Sequence, residues 1–285
     1  MTVSADWTAE YRGLAIGDGT PFDIARVEGL LDLPLVRSGD RLLLSRDGAA
    51  PGTDRLGPRT LVLTLEVFGD TDETFAAAVA DLTTATAPSR TVEYPLTLQI
   101  PGVAGGAPAF VKVRPRNRSL PIGLEFLYRS PLALVELVAT DPLIYSDSET
   151  AVSIDLAADP GGRAYDRIYP MVYAGGGSFG SALLTNAGSA DAPATLRING
   201  PVTNPEVRNV TTGQSLGLTI VLDAGEFLDI DTQARTVLLG GTANRYSALT
   251  TPQWWSLQPG VNEVRYLADI STASTVDVTF RSAWV

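Results

Sequence analysis

The sequence predicts a mainly β protein with one helix, and three observations carry that reading. Apolar and polar residues alternate with a period of two in many short segments, as half-buried strands require. A single segment shows the i, i+4, i+7 spacing of an amphipathic helix. Turn signals punctuate the rest of the 285 residues, which include 27 Gly and 19 Pro, together about 16% of the chain against roughly 12% in average usage. With 45% apolar and 19% charged residues, the chain can bury a sizeable core, and its length suits two domains or one large β domain.

Taken in order, Arg59 to Gly69 places Leu61, Leu63, Leu65 and Val67 on one face of a strand. Strand-like alternation recurs at Thr91 to Gln99, Ala109 to Arg118, Leu124 to Thr140, Ala194 to Asn199, Leu216 to Leu222, Val261 to Leu267 and Thr275 to Phe280. The helix is expected over Asp70 to Thr84, with Phe75, Val79 and Leu82 on its apolar stripe, Asp70 as its cap and Glu73 completing a capping box. Within Glu226 to Leu239 two alternating runs flank the polar centre Asp-Thr-Gln-Ala, which predicts a hairpin. A hydrophobic strand ending at Asp141-Pro142 before a polar stretch suggests a boundary between Thr140 and Ser148, with domains over 1–143 and 144–285.

The absence of Cys and His removes Cys nucleophiles, Ser-His-Asp triads, disulfides and Cys or His zinc sites. No catalytic, cofactor-binding or metal-binding residues are expected. The net charge of −11 disfavours nucleic acid and anionic membrane surfaces. The N-terminal residues have no basic stretch followed by an apolar one, and the longest apolar run, Leu132 to Ala139, is far shorter than the roughly 20 residues of a membrane span. Neither a signal peptide nor membrane insertion is expected.

Five motifs invite a chemical reading. Gly175 to Gly180 matches G-x-G-x-x-G after a possible strand at Ile168 to Tyr173, but Asn186-Ala187-Gly188 follows too soon for a crossover helix, so a loop is expected. Asp229 and Asp231 share a strand face, as paired carboxylates of a glycoside hydrolase would, but Asp231 sits where a hairpin turn would use it. Trp254 and Trp255 are a candidate glycan contact; in a strand they point to opposite faces, so at most one could form a platform while the other packs inward. Lys112, Arg114, Arg116 and Arg118 alternate along one strand and are expected on one face. They read either as an edge strand protected by charge and by Pro115, or as a subunit interface meeting an acidic surface. Asn117-Arg118-Ser119 and Asn209-Val210-Thr211 are glycosylation triplets, uninformative without a secretory signal.

The order of several motifs resembles the distal tail protein (Dit) family of long-tailed bacteriophages. The first half contributes Gly17-Asp18-Gly19-Thr20-Pro21-Phe22, Val27-Glu28-Gly29-Leu30, and Arg46-Asp47-Gly48 with Pro51-Gly52 ahead of Arg59, its long strand and the helix. The second half contributes Ala194 to Pro205 (ATLRINGPVTNP), Asn209 to Leu216, the Glu226 to Leu239 hairpin, and Trp255-Ser256-Leu257 with Pro259-Gly260 and Asn262.

The resemblance implies an N-terminal split-barrel or belt domain, which closes a homo-hexameric ring, and a C-terminal galectin-like β-sandwich. It implies a structural virion protein at the phage tail tip, assembled in the host bacterial cytoplasm, which joins the tail tube and tape measure proteins to tail-tip or receptor-binding proteins. No enzymatic activity, cofactor, sequence-specific nucleic-acid binding or membrane insertion is implied. Twenty Arg against one Lys point to a high-GC genome. Two alternatives remain: a carbohydrate-binding accessory tail or fibre module using Trp254 or Trp255, and a glycoside hydrolase using Asp229 and Asp231.

Overall fold

The computed structural model describes residue 3 and residues 5–156, 180–269 and 273–285. The expected strand at Ile168 to Tyr173 lies outside them, as does most of the Gly175 to Gly180 loop. The chain forms two compact units, Met1–Ser148 with Trp284–Val285, and Glu149–Ala283.

The first unit opens with β1 (Thr8–Tyr11), β2 (Leu14–Ile16) and β3 (Phe22–Glu28). Four two-residue strands follow: β4 (Val36–Arg37), β5 (Arg41–Leu42), β6 (Ala49–Ala50) and β7 (Arg55–Leu56). Next come β8 (Arg59–Val67), α1 (Asp72–Ala85), β9 (Tyr94–Gln99), β10 (Ala109–Ser119), α2 (Leu124–Leu127), β11 (Leu132–Ala139) and β12 (Ile144–Ser146). The main sheet runs β2-β1-β9-β10-β11-β8-β3. Strict alternation makes this possible: along β8, Leu61, Leu63, Leu65 and Val67 are all buried, and β11 buries Ala133, Val135, Leu137 and Ala139 beside them. Trp284 returns to this unit and packs against its core.

Helix α1 starts two residues later than the sequence suggests. Thr71, not Asp70, is the cap: its hydroxyl accepts the Thr74 amide at 3.2 Å while the Thr74 hydroxyl accepts the Thr71 amide at 3.0 Å. Thr74 therefore fills the capping-box place expected of Glu73, and Asp72 and Glu73 lie in the first turn, where they favour the helix dipole. Phe75, Ala78, Leu82 and Ala85 are buried. Phe75 also meets the Phe126 ring edge-on, with centroids 4.9 Å apart. Phe75→Ala is expected to destabilise the first unit by roughly 3 to 5 kcal/mol, read from denaturant midpoints; a loss below about 1 kcal/mol would place the ring's contacts elsewhere.

The one-helix expectation needs amending. Residues 124–127, expected at the start of a long strand, form the short helix α2, and the strand proper begins only at Leu132.

Between β3 and β8 the chain leaves the sheet as an arm and returns. Gly29, at the arm's root, adopts φ +80°, and a Cβ there would stand 2.0 Å from the Thr60 carbonyl oxygen, so only glycine fits. Arg59 closes the root. Its side chain is buried, and its Nη1 donates to the carbonyls of Gly29, Leu30 and Asp32 at 2.7 to 2.9 Å, while Nε donates to Pro142 O at 2.8 Å. Burial lowers its pKa, and the nearby Asp32 carboxylate acts in the opposite sense.

The second unit is a β-sandwich. Its strands are β13 (Thr150–Asp155), β14 (Ser181–Asn186), β15 (Ala194–Asn199), β16 (Val202–Thr203), β17 (Glu206–Asn209), β18 (Gln214–Leu218), β19 (Val221–Leu222), β20 (Phe227–Asp231), β21 (Thr236–Leu239), β22 (Ala243–Asn244), β23 (Leu249–Pro252), β24 (Gly260–Leu267) and β25 (Thr275–Phe280). One sheet runs β13-β25-β15-β20-β21-β22 and the other β14-β24-β17-β18-β23, with β16 and β19 paired separately. Several strands turn alternate residues inward, such as Leu196 and Ile198 on β15 and Val264 and Tyr266 on β24, whereas β18 buries Ser215 to Leu218 without alternation. Burial pushes the Tyr266 hydroxyl pKa up to about 12, against the opposing effect of its 2.7 Å hydrogen bond with Ser274.

Candidate subunit interface and the aromatic and acidic pairs

The basic row lies on β10, and the structure corrects one expectation about it, that of a shared face. β10 lies between β9 and β11 in the sheet order, but residues 109–113 pair with β9 and residues 114–119 with β11, so the stretch that carries Arg114, Arg116 and Arg118 is open on its β9 side, as an edge would be. Pro115 is tolerated here because pairing with β9 has already ended at Val113. The four cations do not share a face. A register shift between Pro115 and Asn117 makes Arg116 an extra residue, and beyond it the alternation inverts. Arg118 thus pairs opposite the buried Val135 and turns toward α1.

This inversion gives Arg118 a structural task. Its Nη1 donates to Thr83 O at 3.0 Å and to the Thr86 hydroxyl at 2.7 Å. From the β1–β2 turn, Arg12 Nη1 donates to Ala85 O and Ala87 O, each at 3.0 Å. The last turn of α1 contains no basic residue, so these two guanidiniums satisfy the carbonyl end of the helix and oppose its negative pole. Arg12 also lies 4.8 Å from the centroid of the Tyr94 ring. Arg114 Nη1 donates to Arg90 O at 3.1 Å, with Glu93 3.8 Å from its Nε. Lys112 and Arg116 are the two exposed members of the row at positions outside these contacts.

The tryptophans lie just past β23 and outside any strand, contrary to the strand alternation expected of them, yet they still part company. Trp255 is buried, and its indole N–H points at Val207 O, 3.4 Å away. Trp254 is partly exposed and stacks on Tyr246, with centroids 6.1 Å and planes 25° apart.

Both aspartates are occupied. Asp229 forms a bidentate pair with Arg197 at 2.7 and 3.0 Å, and that guanidinium lies over the Phe227 ring. This pairing raises the Arg197 pKa. Asp231 accepts the Gln233 and Ala234 amides, each at 2.8 Å, and so shapes the turn of the β20–β21 hairpin. Among the described residues no cluster of three or more acidic side chains is placed to hold a metal ion. Asn209 is buried, donating to Ser256 O and accepting the Thr212 amide, so its glycosylation triplet is a packing motif.

Two elements escaped the sequence reading: Arg12 as a helix cap and the arm's exposed leucines. The first has no signal within α1 itself. The second had one, the Leu-x-Leu-x-Leu spacing of Leu31, Leu33 and Leu35 in a stretch rich in turn residues.

Residues 187–284 match the family model of the siphovirus-type tail component, C-terminal domain. The resemblance to the distal tail family stands. The fold is that of the phage SPP1 Dit protein, whose crystal structure is described as a paradigm of the hub adsorption apparatus in phages infecting Gram-positive bacteria. That structure covers 98% of this chain and 99% of its own, with a TM-score of 0.66 at 17% sequence identity. Chains from the phage p2 baseplate, in its activated conformation with Ca or Sr, match at TM-score 0.46 and 13% or 12% identity, over 92% of this chain and 91% of theirs. No curated protein matches the sequence.

The geometry accounts for the Asn-Gly-Pro…Asn-Pro segment, which lies within the matched residues. A Cβ at Gly200 would stand 2.3 Å from Asp223 O, and Asn204 takes a left-handed conformation with its side-chain amide donating to Asp269 at 2.6 Å. The motif therefore marks close backbone approach and a tight turn, with no chemistry of its own.

Proposed function

We propose that this protein is a structural component of a long-tailed phage, located at the tail tip of the virion and assembled in the host cytoplasm. In this reading six copies close a ring that joins the tail tube and tape measure to tail-tip or receptor-binding proteins. The observation that carries it is the agreement between the tail-component match over residues 187–284 and the end-to-end fold likeness to the SPP1 hub protein. The role is mechanical and not catalytic: Asp229 is neutralised by Arg197 and Asp231 is spent on a turn. Lys112 and Arg116 offer an exposed cationic contact on β10 to an acidic neighbour.

Light scattering on the purified chain tests the ring. A mass of about 181 kDa, six times 30.1 kDa, is expected. A mass near 30 kDa at high concentration would overturn assembly without tail partners. Lys112→Glu with Arg116→Glu is expected to shift the population toward monomer, most strongly at low salt, where exposed charges are least screened.

A second reading has one observation behind it. The Trp254–Tyr246 stack leaves an aromatic surface partly exposed, as a glycan platform would be. Glycan-array binding that vanishes in Trp254→Ala would support it, and a blank array would remove it.

A further inference from the structure

The outward face of one sheet of the second unit differs from an ordinary solvated strand surface. Along β13, β25, β15, β20 and β21 no position is Lys or Glu, the long side chains that usually cover such a surface. Most outward positions instead carry short hydroxyl, amide or carboxylate groups, which lose little rotamer freedom when a ligand orders them.

Strand register sets these groups in two adjacent rows. One row carries the hydroxyls of Thr279, Thr195 and Thr236. The next, two residues along each strand, places Asp277, Arg197 and Asp229 side by side. A groove of about 570 Å³ follows the two rows across all five strands. At roughly 4.8 Å per strand spacing it is about 19 Å long, enough for more than one sugar ring.

The polar groups are fixed in advance, yet only part of their bonding capacity is used. Arg197 lies 4.5 Å from the centroid of the Phe227 ring and gives Nε and Nη2 to Asp229, which leaves Nη1 without an acceptor among the described residues. Asp277 accepts the Asn199 amide through a single oxygen at 2.9 Å. The hydroxyls of Thr195, Thr236 and Thr279 make no hydrogen bond among the described residues. Preorganised groups with spare capacity lower the ordering cost of binding.

The kind of ligand follows from the charges. Asp277, Arg197 and Asp229 form an acceptor, donor, acceptor sequence, and a vicinal pair of hydroxyls can accept from the guanidinium while donating to a neighbouring carboxylate. Anions are disfavoured, because Asp229, Asp231 and Asp277 outnumber Arg197 along the groove. Cations gain little, because Asp229 is neutralised by Arg197 and Asp231 accepts its own turn amides.

We propose that this groove binds a neutral oligosaccharide, with Arg197, Asp229 and Asp277 holding vicinal hydroxyls and the threonine row meeting the next ones. The site belongs to the second unit alone, goes beyond the tail-hub reading, and is distinct from the Trp254–Tyr246 stack.

The full chain is profiled on an array of neutral and charged glycans, and the neutral oligosaccharides of glucose, galactose and N-acetylglucosamine are then titrated by calorimetry. Neutral glycans are expected to bind, and Arg197→Gln to weaken them by at least about tenfold, the worth of one charge-assisted hydrogen bond. Thr195→Val with Thr279→Val, nearly the same shape without the hydroxyls, is expected to weaken binding at an unchanged melting temperature, and Trp254→Ala to leave it unchanged. Binding that survives Arg197→Gln but vanishes in Trp254→Ala would overturn the groove and favour the aromatic stack. An array on which no neutral glycan binds would overturn it too, as would a preference for oligolysine peptides over every saccharide, the mark of a surface for a basic partner. The particle mass from light scattering is independent of each of these results, so loss of the groove would leave the ring reading untouched.

Discussion

Replacing Arg59 with Met is expected to destabilise the first unit by about 4 kcal/mol, because it removes a buried charge-assisted donor from four carbonyls at once. The methionine fills much of the volume but donates nothing. Gly29, Leu30, Asp32 and Pro142 would then keep their carbonyl oxygens dehydrated or drag water into a core that includes the buried Leu30 and Ile144. The arm's root should loosen before the sheet fails. Limited trypsin digestion should therefore cut at Arg37, Arg41, Arg46 or Arg55 well ahead of global unfolding, and denaturant midpoints should show the stability loss. Wild-type stability with an uncut arm would mean that the glycine turn alone holds the root.

Trp255→Ala should cost the second unit about 3 to 5 kcal/mol, while Trp254→Ala should cost less than about 1. Adjacent in sequence, the two residues differ in everything that sets this number. Trp255 is among the largest fully buried side chains of the chain, and its removal opens a cavity between sheets whose neighbours, Val207 on β17 among them, are fixed by ladders on both sides. Trp254 is partly exposed and loses its stack on Tyr246. Calorimetry of the two variants checks the contrast; equal losses would show that the pair packs as one unit.

Features set by a strand's own alternation were legible in the sequence. Ala194 to Asn199 and Thr275 to Phe280 form strands with the expected ends, and the Asp231 turn follows from a short polar run between two alternating ones. Features set by a partner strand were not. The extra residue at Arg116 exists only relative to β11, so the sequence put Arg118 on the wrong face. The edge-strand reading of β10 holds only for its second half, where pairing with β9 has ended, since neighbours are a property of topology. The helix start was misread because Asp70 and Thr71 are both good caps, and only the Thr71–Thr74 reciprocity decides between them. Leu124 to Tyr128 reads as apolar alternation into β11, but Gly123 ahead of it and Arg129 in a left-handed conformation after it close it into a single helical turn.

The return of Trp284 to the first unit makes the second unit an insertion. The chain enters the sandwich after Ser148 and leaves it after Ala283, so the first unit's core joins residues separated by the whole of the second. In synthesis this orders events. Residues up to Ser148 emerge early and can collapse, yet Trp284 cannot take its place until the sandwich has been made, and a loop of that length adds an entropic delay to its docking. An insertion also has evolutionary slack. A module tied in at only two crossings can be exchanged for another with similarly placed ends, leaving the sheet, the helix and the arm of the first unit as the constant frame.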